Sequence, residues 1–233
     1  TGETINFSIT VNPQPQINNF TETICEGQSF TDITPVNGTD GIVPAGTTYT
    51  WSIAQTSSND ITGGSSGSGT TIVGSVLQNA SNSPQNLVYT VTPTTTTGNE
   101  SCVGADFTVT ITVNPTAQVQ PVDPIVVCNG DNIGPIVFST INTGGVTTYN
   151  WTNTNVAINL GDSGSGNIPS FTATAGSTSE VANIVVTPTF TNNDVECTGE
   201  TINFSITVNP LPQIDPFEET ICEGQAFTDI TPV

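Results

Sequence analysis

Phe107, Val109, Ile111 and Val113 alternate with three threonines along 107–113. The same one-in-two pattern runs through Ile5, Phe7, Ile9 and Val11, and again through Ile202, Phe204, Ile206 and Val208. A period of two predicts strands with one buried and one wet face. Leu87, Tyr89 and Val91 form the inner face of a further strand, and Tyr49 with Trp51 one face of a central strand. Asn-Pro at 12–13, 114–115 and 209–210 closes each alternating run, because proline cannot extend a ladder. No helical i, i+3, i+4 stripe of useful length is present. The Gly/Ser tracts at 63–69 and 161–166 are too polar for a core and read as tight surface turns.

The alternating runs recur at a fixed place. SITVNP at 8–13, TITVNP at 110–115 and SITVNP at 205–210 mark equivalent strand ends, 102 and 95 residues apart (115 − 13 and 210 − 115). Such a spacing suits one β-sandwich per block. Two blocks share landmarks in order: Tyr49-Thr50-Trp51 with Tyr149-Asn150-Trp151, Ser66-Gly67-Ser68-Gly69 with Ser163-Gly164-Ser165-Gly166, and Val91-Thr92-Pro93 with Val186-Thr187-Pro188. Residues 1–36 also reappear at 198–233, differing only at Gln14/Leu211, Asn18/Asp215, Asn19/Pro216, Thr21/Glu218 and Ser29/Ala226. The chain therefore reads as a window onto a tandem array. Residues 1–13 are the last strand of a preceding B-type domain, 14–115 domain A, 116–210 domain B, and 211–233 the first strands of the next A-type domain. Short proline-containing joints favour a semi-rigid rod.

Composition narrows the chemistry. There is no Lys, Arg or His against 20 acidic residues, a formal charge of −20. No cationic side chain is available to a phosphate, so nucleic acid is excluded as a partner and an anionic membrane surface disfavoured. Imidazole metal sites, His-dependent triads and lysine chemistry are all impossible. No run of 18 apolar residues spans a membrane, so no direct membrane insertion is expected. The acids are scattered singly, which keeps a long chain solvated and self-repelling.

Five cysteines fall at Cys25, Cys102, Cys128, Cys197 and Cys222, with no CxxC or Cys/His spacing for zinc. Cys222 is the repeat of Cys25. The other four sit one early and one late in each domain, which predicts the bridges Cys25–Cys102 and Cys128–Cys197. Disulfides imply an oxidising, extracytoplasmic setting.

Few residues offer a site. Calcium is the one ion to weigh, at Asp40 in NGTDG, Asp131 in CNGDN, and Asp162. None has the D-x-D-x-D-G spacing or nearby acids in sequence, so no metal or cofactor is assigned. Asp162-Ser163-Gly164 matches an aspartic-protease triplet, but the equivalent in domain A is Ser65-Ser66-Gly67, with no acid. Glu22, Glu26 and Asp32 around Cys25 show no pairing on one strand face, so no catalytic residue is assigned. Trp51 and Trp151 are expected in the core, and would stack on sugars only if exposed.

Cys128-Asn129-Gly130, YNWTN at 149–153, SGSGNIPSFTATA at 163–175, VTPT at 186–189 and ITVNP at 206–210 together resemble the PKD-like repeats of giant cell-surface proteins of Bacteroidota, among them the gliding-motility adhesins of flavobacteria. The WDFGDG signature of ordinary PKD domains is missing, since Thr-Asn-Thr-Asn follows Trp151. The resemblance implies all-β, Ig-like sandwiches in a rod-like array, and a cell-surface location, anchored in the outer membrane or secreted. It also implies a structural or adhesive role with no enzyme activity. The partners would be neighbouring repeats of the same chain, surface polysaccharide or other cells. Two other readings stay open: a carbohydrate-binding array, and a filament subunit assembled by strand exchange through 1–13.

Overall fold

The computed structural model describes residues 3–56, 59–98, 100–214, 216 and 218–226. Its first half carries strands β1 (Gln16–Ile17), β2 (Phe20–Cys25), β3 (Gly41–Ile42), β4 (Thr47–Thr56), β5 (Ile61–Thr62), β6 (Gly67–Gly69), β7 (Gln78–Asn79), β8 (Gln85–Thr97), β9 (Glu100–Val103) and β10 (Phe107–Asn114). The second half carries β11 (Ile125–Cys128), β12 (Asn132–Ile133), β13 (Val146–Asn153), β14 (Ser163–Ser165), β15 (Phe171–Thr172), β16 (Glu180–Asn192), β17 (Val195–Thr198) and β18 (Ile202–Asn209). One 3-10 turn, Val156–Ile158, is the sole helical element among the described residues.

The main sheet of the first half has the order β2-β10-β8-β4-β6, with β9 hairpinned onto β8. β2 runs parallel to β10, from Phe20 opposite Val109 to Cys25 opposite Asn114. The β10–β8 and β8–β4 pairs are antiparallel, the latter with a bulge between Ile53 and Gln55. The alternating residues do what their period predicts. Leu87, Tyr89 and Val91 on β8, and Phe107, Val109, Ile111 and Val113 on β10, are buried together with Tyr49 and Trp51 of β4. Each such side chain contributes about 1.5–3 kcal/mol by leaving water. Phe30, Ile72 and Leu77 close this core from a second layer of short pairings, β1–β3, β5–β7 and the bridges Ser29–Val76 and Ile33–Ile72. The result is an Ig-like β-sandwich with one long and one fragmentary sheet.

The second half repeats the plan. Its main sheet has the order β11-β18-β16-β13-β14, with β17 on β16. Again β11 is parallel to β18, and Cys128 stands opposite Asn209. Ile184, Val186, Phe190, Phe204, Ile206, Val208, Tyr149 and Trp151 are buried. By packing density the chain falls into two compact units: Thr1–Gln120, Phe138–Asn150 and Val186–Ile202 in one, and Pro121–Val137, Trp151–Val185 and Asn203–Val233 in the other.

Two local expectations are corrected. The Gly/Ser tracts are not turns: they contain edge strands, β6 on β4 and β14 on β13. Glycine is needed there because the edge backbone lies on the tryptophan ring. A Cβ on Gly67 would sit 2.5 Å from Cζ2 of Trp51, and one on Gly164 would sit 2.3 Å from Cζ2 of Trp151. The segment 3–13 forms no strand, and Ile5, Phe7, Ile9 and Val11 are each at least 79% exposed. Its copy at 200–210 is a buried central strand, β18. Alternation makes a strand only where a neighbour completes the ladder, and 3–13 has none here. The described part of 211–226 likewise contains no strand.

Candidate functional site

The most built feature outside the two cores surrounds a single disulfide. Cys25, the last residue of β2, is bridged to Cys197 of β17, with Cα atoms 5.5 Å apart. Both cysteines lie in the same compact unit. Beside the bridge, Asn114 and Asn192 exchange amide hydrogen bonds. Asn114 Nδ2 donates to the Asn192 carbonyl at 3.1 Å, and Asn192 Nδ2 donates to Asn114 Oδ1 at 2.9 Å. Asn114 is fully buried, so this exchange satisfies an amide that water cannot reach. Asn193 Nδ2 donates to Thr23 Oγ1 at 3.2 Å, and Thr116 Oγ1 to Glu26 Oε2 at 2.6 Å. The segment after Asn114 is packed as well, with Ala117 and Val119 buried and Gln118 N–H donating to Asn142 Oδ1 at 2.7 Å.

β17 is delivered to this place by a two-residue turn. Asn193 and Asp194 have φ of 49° and 60°, and Asn192 pairs with Val195 across them. Positive φ at both central positions is the turn geometry that matches strand twist. Sequence reasoning passed over this Asn-Asp pair and the Asn114–Asn192 exchange. The signal for the first was available in Asn193-Asp194 between two β-rich runs.

The bridge corrects the expected pairings Cys25–Cys102 and Cys128–Cys197. Cys102 and Cys128 are free thiols, half-buried and exposed respectively, and Cys222 is free and exposed. The reason is distance along the sheet. Cys25 stands at the Asn114 end of β10, which abuts Gln85 of β8. Cys102 stands against Thr95, ten residues further along β8. At about 3.3 Å per residue the two lie roughly 30 Å apart, whereas a disulfide needs Cα atoms within about 7 Å.

The calcium candidates are scattered, each spent on its own turn. Asp40 Oδ2 accepts from Val36 N–H at 2.7 Å, and Asp131 Oδ2 from Cys128 N–H at 2.8 Å. Asp162 Oδ1 accepts from Ser163 Oγ at 3.2 Å. Among the described residues no three His, Cys, Asp or Glu side chains cluster as a metal site. Glu22 accepts from Thr31 N–H and Oγ1, and Asp32 from Gly74 N–H, so these acids lace loops to strands. Trp51 and Trp151 are 7% and 5% exposed, which leaves no indole face for a sugar. Trp51 Nε1 donates to the Ser65 carbonyl at 3.2 Å, while Trp151 Nε1 is buried without a partner. Burial, and secondarily the charge of Asp40, raises the Tyr49 phenol above its ordinary pKa of 10.0. Burial alone raises Tyr149.

Fold and bridge together define an all-β chain of Ig-like sandwiches carrying one disulfide. Residues 22–117 match the PKD-like domain family, a stretch covering less than half of the chain. Among solved structures the chain is similar to Drosophila N-cadherin EC1-4, at 13% identity and a TM-score of 0.36, covering 83% of this chain and 48% of that one. Human mucin-like protocadherin EC1-2 aligns at 12% identity and 0.32, covering 85% and 98%. The fibronectin(III)-like modules of Clostridium thermocellum CbhA align at 12% and 0.33, covering 85% and 96%. The chain spans half the length of the protocadherin gamma B2 fragment it also matches. No curated protein matches it. No helix among the described residues is long and apolar enough to cross a membrane.

Proposed function

We propose that this chain is a stretch of a long extracellular surface fibre or adhesin, in which sandwich modules are strung in tandem to give reach and multivalency. The observation that carries this reading is the recurrence of residues 1–36 at 198–233 with five differences. Repetition at that fidelity serves length and avidity, since many weak contacts on one chain add without any new site. The PKD-like match and the disulfide support an extracellular setting. We assign no reaction to it. Each acid weighed as a candidate is engaged by a neighbouring hydroxyl or backbone N–H. The partners in this reading are neighbouring repeats of the same chain, with surface polysaccharide or other cells reached by the array, and the source is a bacterial cell surface of the gliding-adhesin type. The buried tryptophans weigh against a sugar-binding array. Negative-stain electron microscopy of a chain carrying several repeats tests the reading. Rods whose length grows linearly with repeat number are expected, and compact particles of constant diameter overturn it.

A further inference from the structure

We infer that Cys102 and Cys128 are the two halves of further clasps, each made with another copy of the repeat, so that every module is stapled to the next by a disulfide from its early cysteine to its successor's late one. The inference rests on reading the chain as part of a tandem array.

The five cysteines occupy only two kinds of place. Cys25 and Cys128 each end the strand that lies parallel to the last strand of their sheet, opposite Asn114 and Asn209. Each is followed by the same turn. Gly27 and Gly130 have φ of 78° and 89°, and the carbonyls of Cys25 and Cys128 accept from Gln28 and Asp131 N–H at 3.1 Å. Cys222 repeats this turn too, with Gly224 at φ 90° and Gln225 N–H on its carbonyl. Cys102 and Cys197 occupy the second kind of place. Both sit on the short hairpin strand, opposite Thr95 and Phe190, two residues before a glycine whose N–H donates to Pro93 or Pro188.

The two kinds lie at opposite ends of a sandwich, about 30 Å apart by strand rise. A module therefore cannot close its own pair, and each end can bridge only outward. The late cysteine is at the entry end. A Cβ on Gly104 would strike the Pro15 carbonyl and one on Gly199 the Ala117 carbonyl, so Cys102 and Cys197 sit beside the chain entering their own sheet. The early cysteine is at the exit end, beside Asn114 or Asn209. Cys25–Cys197 is one realised exit-to-entry bridge. By the same construction, exposed Cys128 faces the entry end of the module that follows, where the counterpart of Cys102 stands, and Cys102 faces the exit end of the module that precedes. Closure removes a proton and an electron from each thiol. Both electrons pass to an oxidised disulfide donor, which leaves as two thiols.

The test lengthens the 233-residue chain after Val233 with a second copy of residues 37–115, completing the next A-type module in register. The protein is made in an oxidising compartment, alkylated without reduction and cut with proteases specific for Glu and Asp, since there is no Lys or Arg for trypsin. Mass spectrometry should find Cys25–Cys197 and a second bridge from Cys128 to the appended copy of Cys102, with loss of the alkylated Cys128 peptide. In the Cys128→Ser variant the second bridge should vanish, the appended thiol become alkylated, and the circular dichroism spectrum stay unchanged. Alkylated Cys128, or Cys128 joined to Cys102 or Cys222, in a chain with the same spectrum overturns the inference. Electron microscopy of the same sample separates the two readings. Rods with a free Cys128 end the staple and spare the fibre, and compact particles with the Cys128 bridge do the reverse.

Discussion

Gly67 and Gly164 hold the tryptophan slots open, and their need for a bare backbone is local and testable. Alanine at either position drives a methyl into the indole, an overpacking that should cost about 1–3 kcal/mol. Gly134→Ala, where nothing lies within 4 Å, should be close to neutral. Urea denaturation of the three variants measures the difference. The indole-facing role of Gly67 was not legible in the sequence, because Ser-Gly tracts carry low strand propensity and the tryptophan that selects glycine is 16 positions away. Tyr49 makes a second residue-scale case. Its folded phenol ionises above the ordinary value, so on alkalinisation the unfolded chain releases this proton first. The unfolded state then binds fewer protons, and stability falls as pH rises through about 10 until the folded phenol also ionises. Below the ordinary tyrosine range the group contributes nothing to the pH dependence. Asp40→Asn removes the nearby negative charge. It should lower the Tyr49 pKa in a tyrosinate absorbance titration and leave Tyr149, shifted by burial alone, where it was.

At the scale of elements, the strands that alternate cleanly were readable and the ones that depend on a neighbour were not. β8, β10 and β18 follow from period two because half of each strand must be buried. The segment 3–13 carries the same pattern and is no strand, since backbone pairing is a property of two segments. The cysteine pairing was misread for a related reason. Order in the sequence shows one early and one late thiol per module, but not that β2 and β9 meet opposite ends of β8 and β10. The hairpin that presents Cys197 offers a prediction of its own. Asp194 holds φ at 60°, which costs a non-glycine residue more than glycine. Asp194→Gly should change stability by less than about 1 kcal/mol, because relief of the positive φ is offset by the greater freedom of the unfolded chain. Asp194→Val should destabilise by about 1–3 kcal/mol, because a β-branched residue resists positive φ. Thermal melts of both variants against the parent protein check the sign.

For the whole molecule, one-signed charge sets the solution behaviour. All 20 ionisable acids repel and no side-chain cation answers them. Salt therefore has repulsion to screen and no side-chain ion pair to weaken. The melting temperature should rise steadily, by a few degrees, as sodium chloride goes from about 10 mM to about 0.5 M, where the Debye length drops from roughly 30 Å to a few ångström. Calorimetry across that range is the check, and a fall with salt would contradict it. Millimolar calcium should shift the melt no more than magnesium at equal ionic strength, since each candidate aspartate is spent on its own turn.

A chain pulled from its two ends would carry the load straight through the sulfur bond of Cys25–Cys197. The 171 residues from 26 to 196 form a shunted loop that feels no extension while that bond holds. At about 3.4 Å per extended residue this conceals on the order of 580 Å of slack. A reductant added during a force-spectroscopy ramp should open that length to extension, released as the sandwich cores inside the loop unfold.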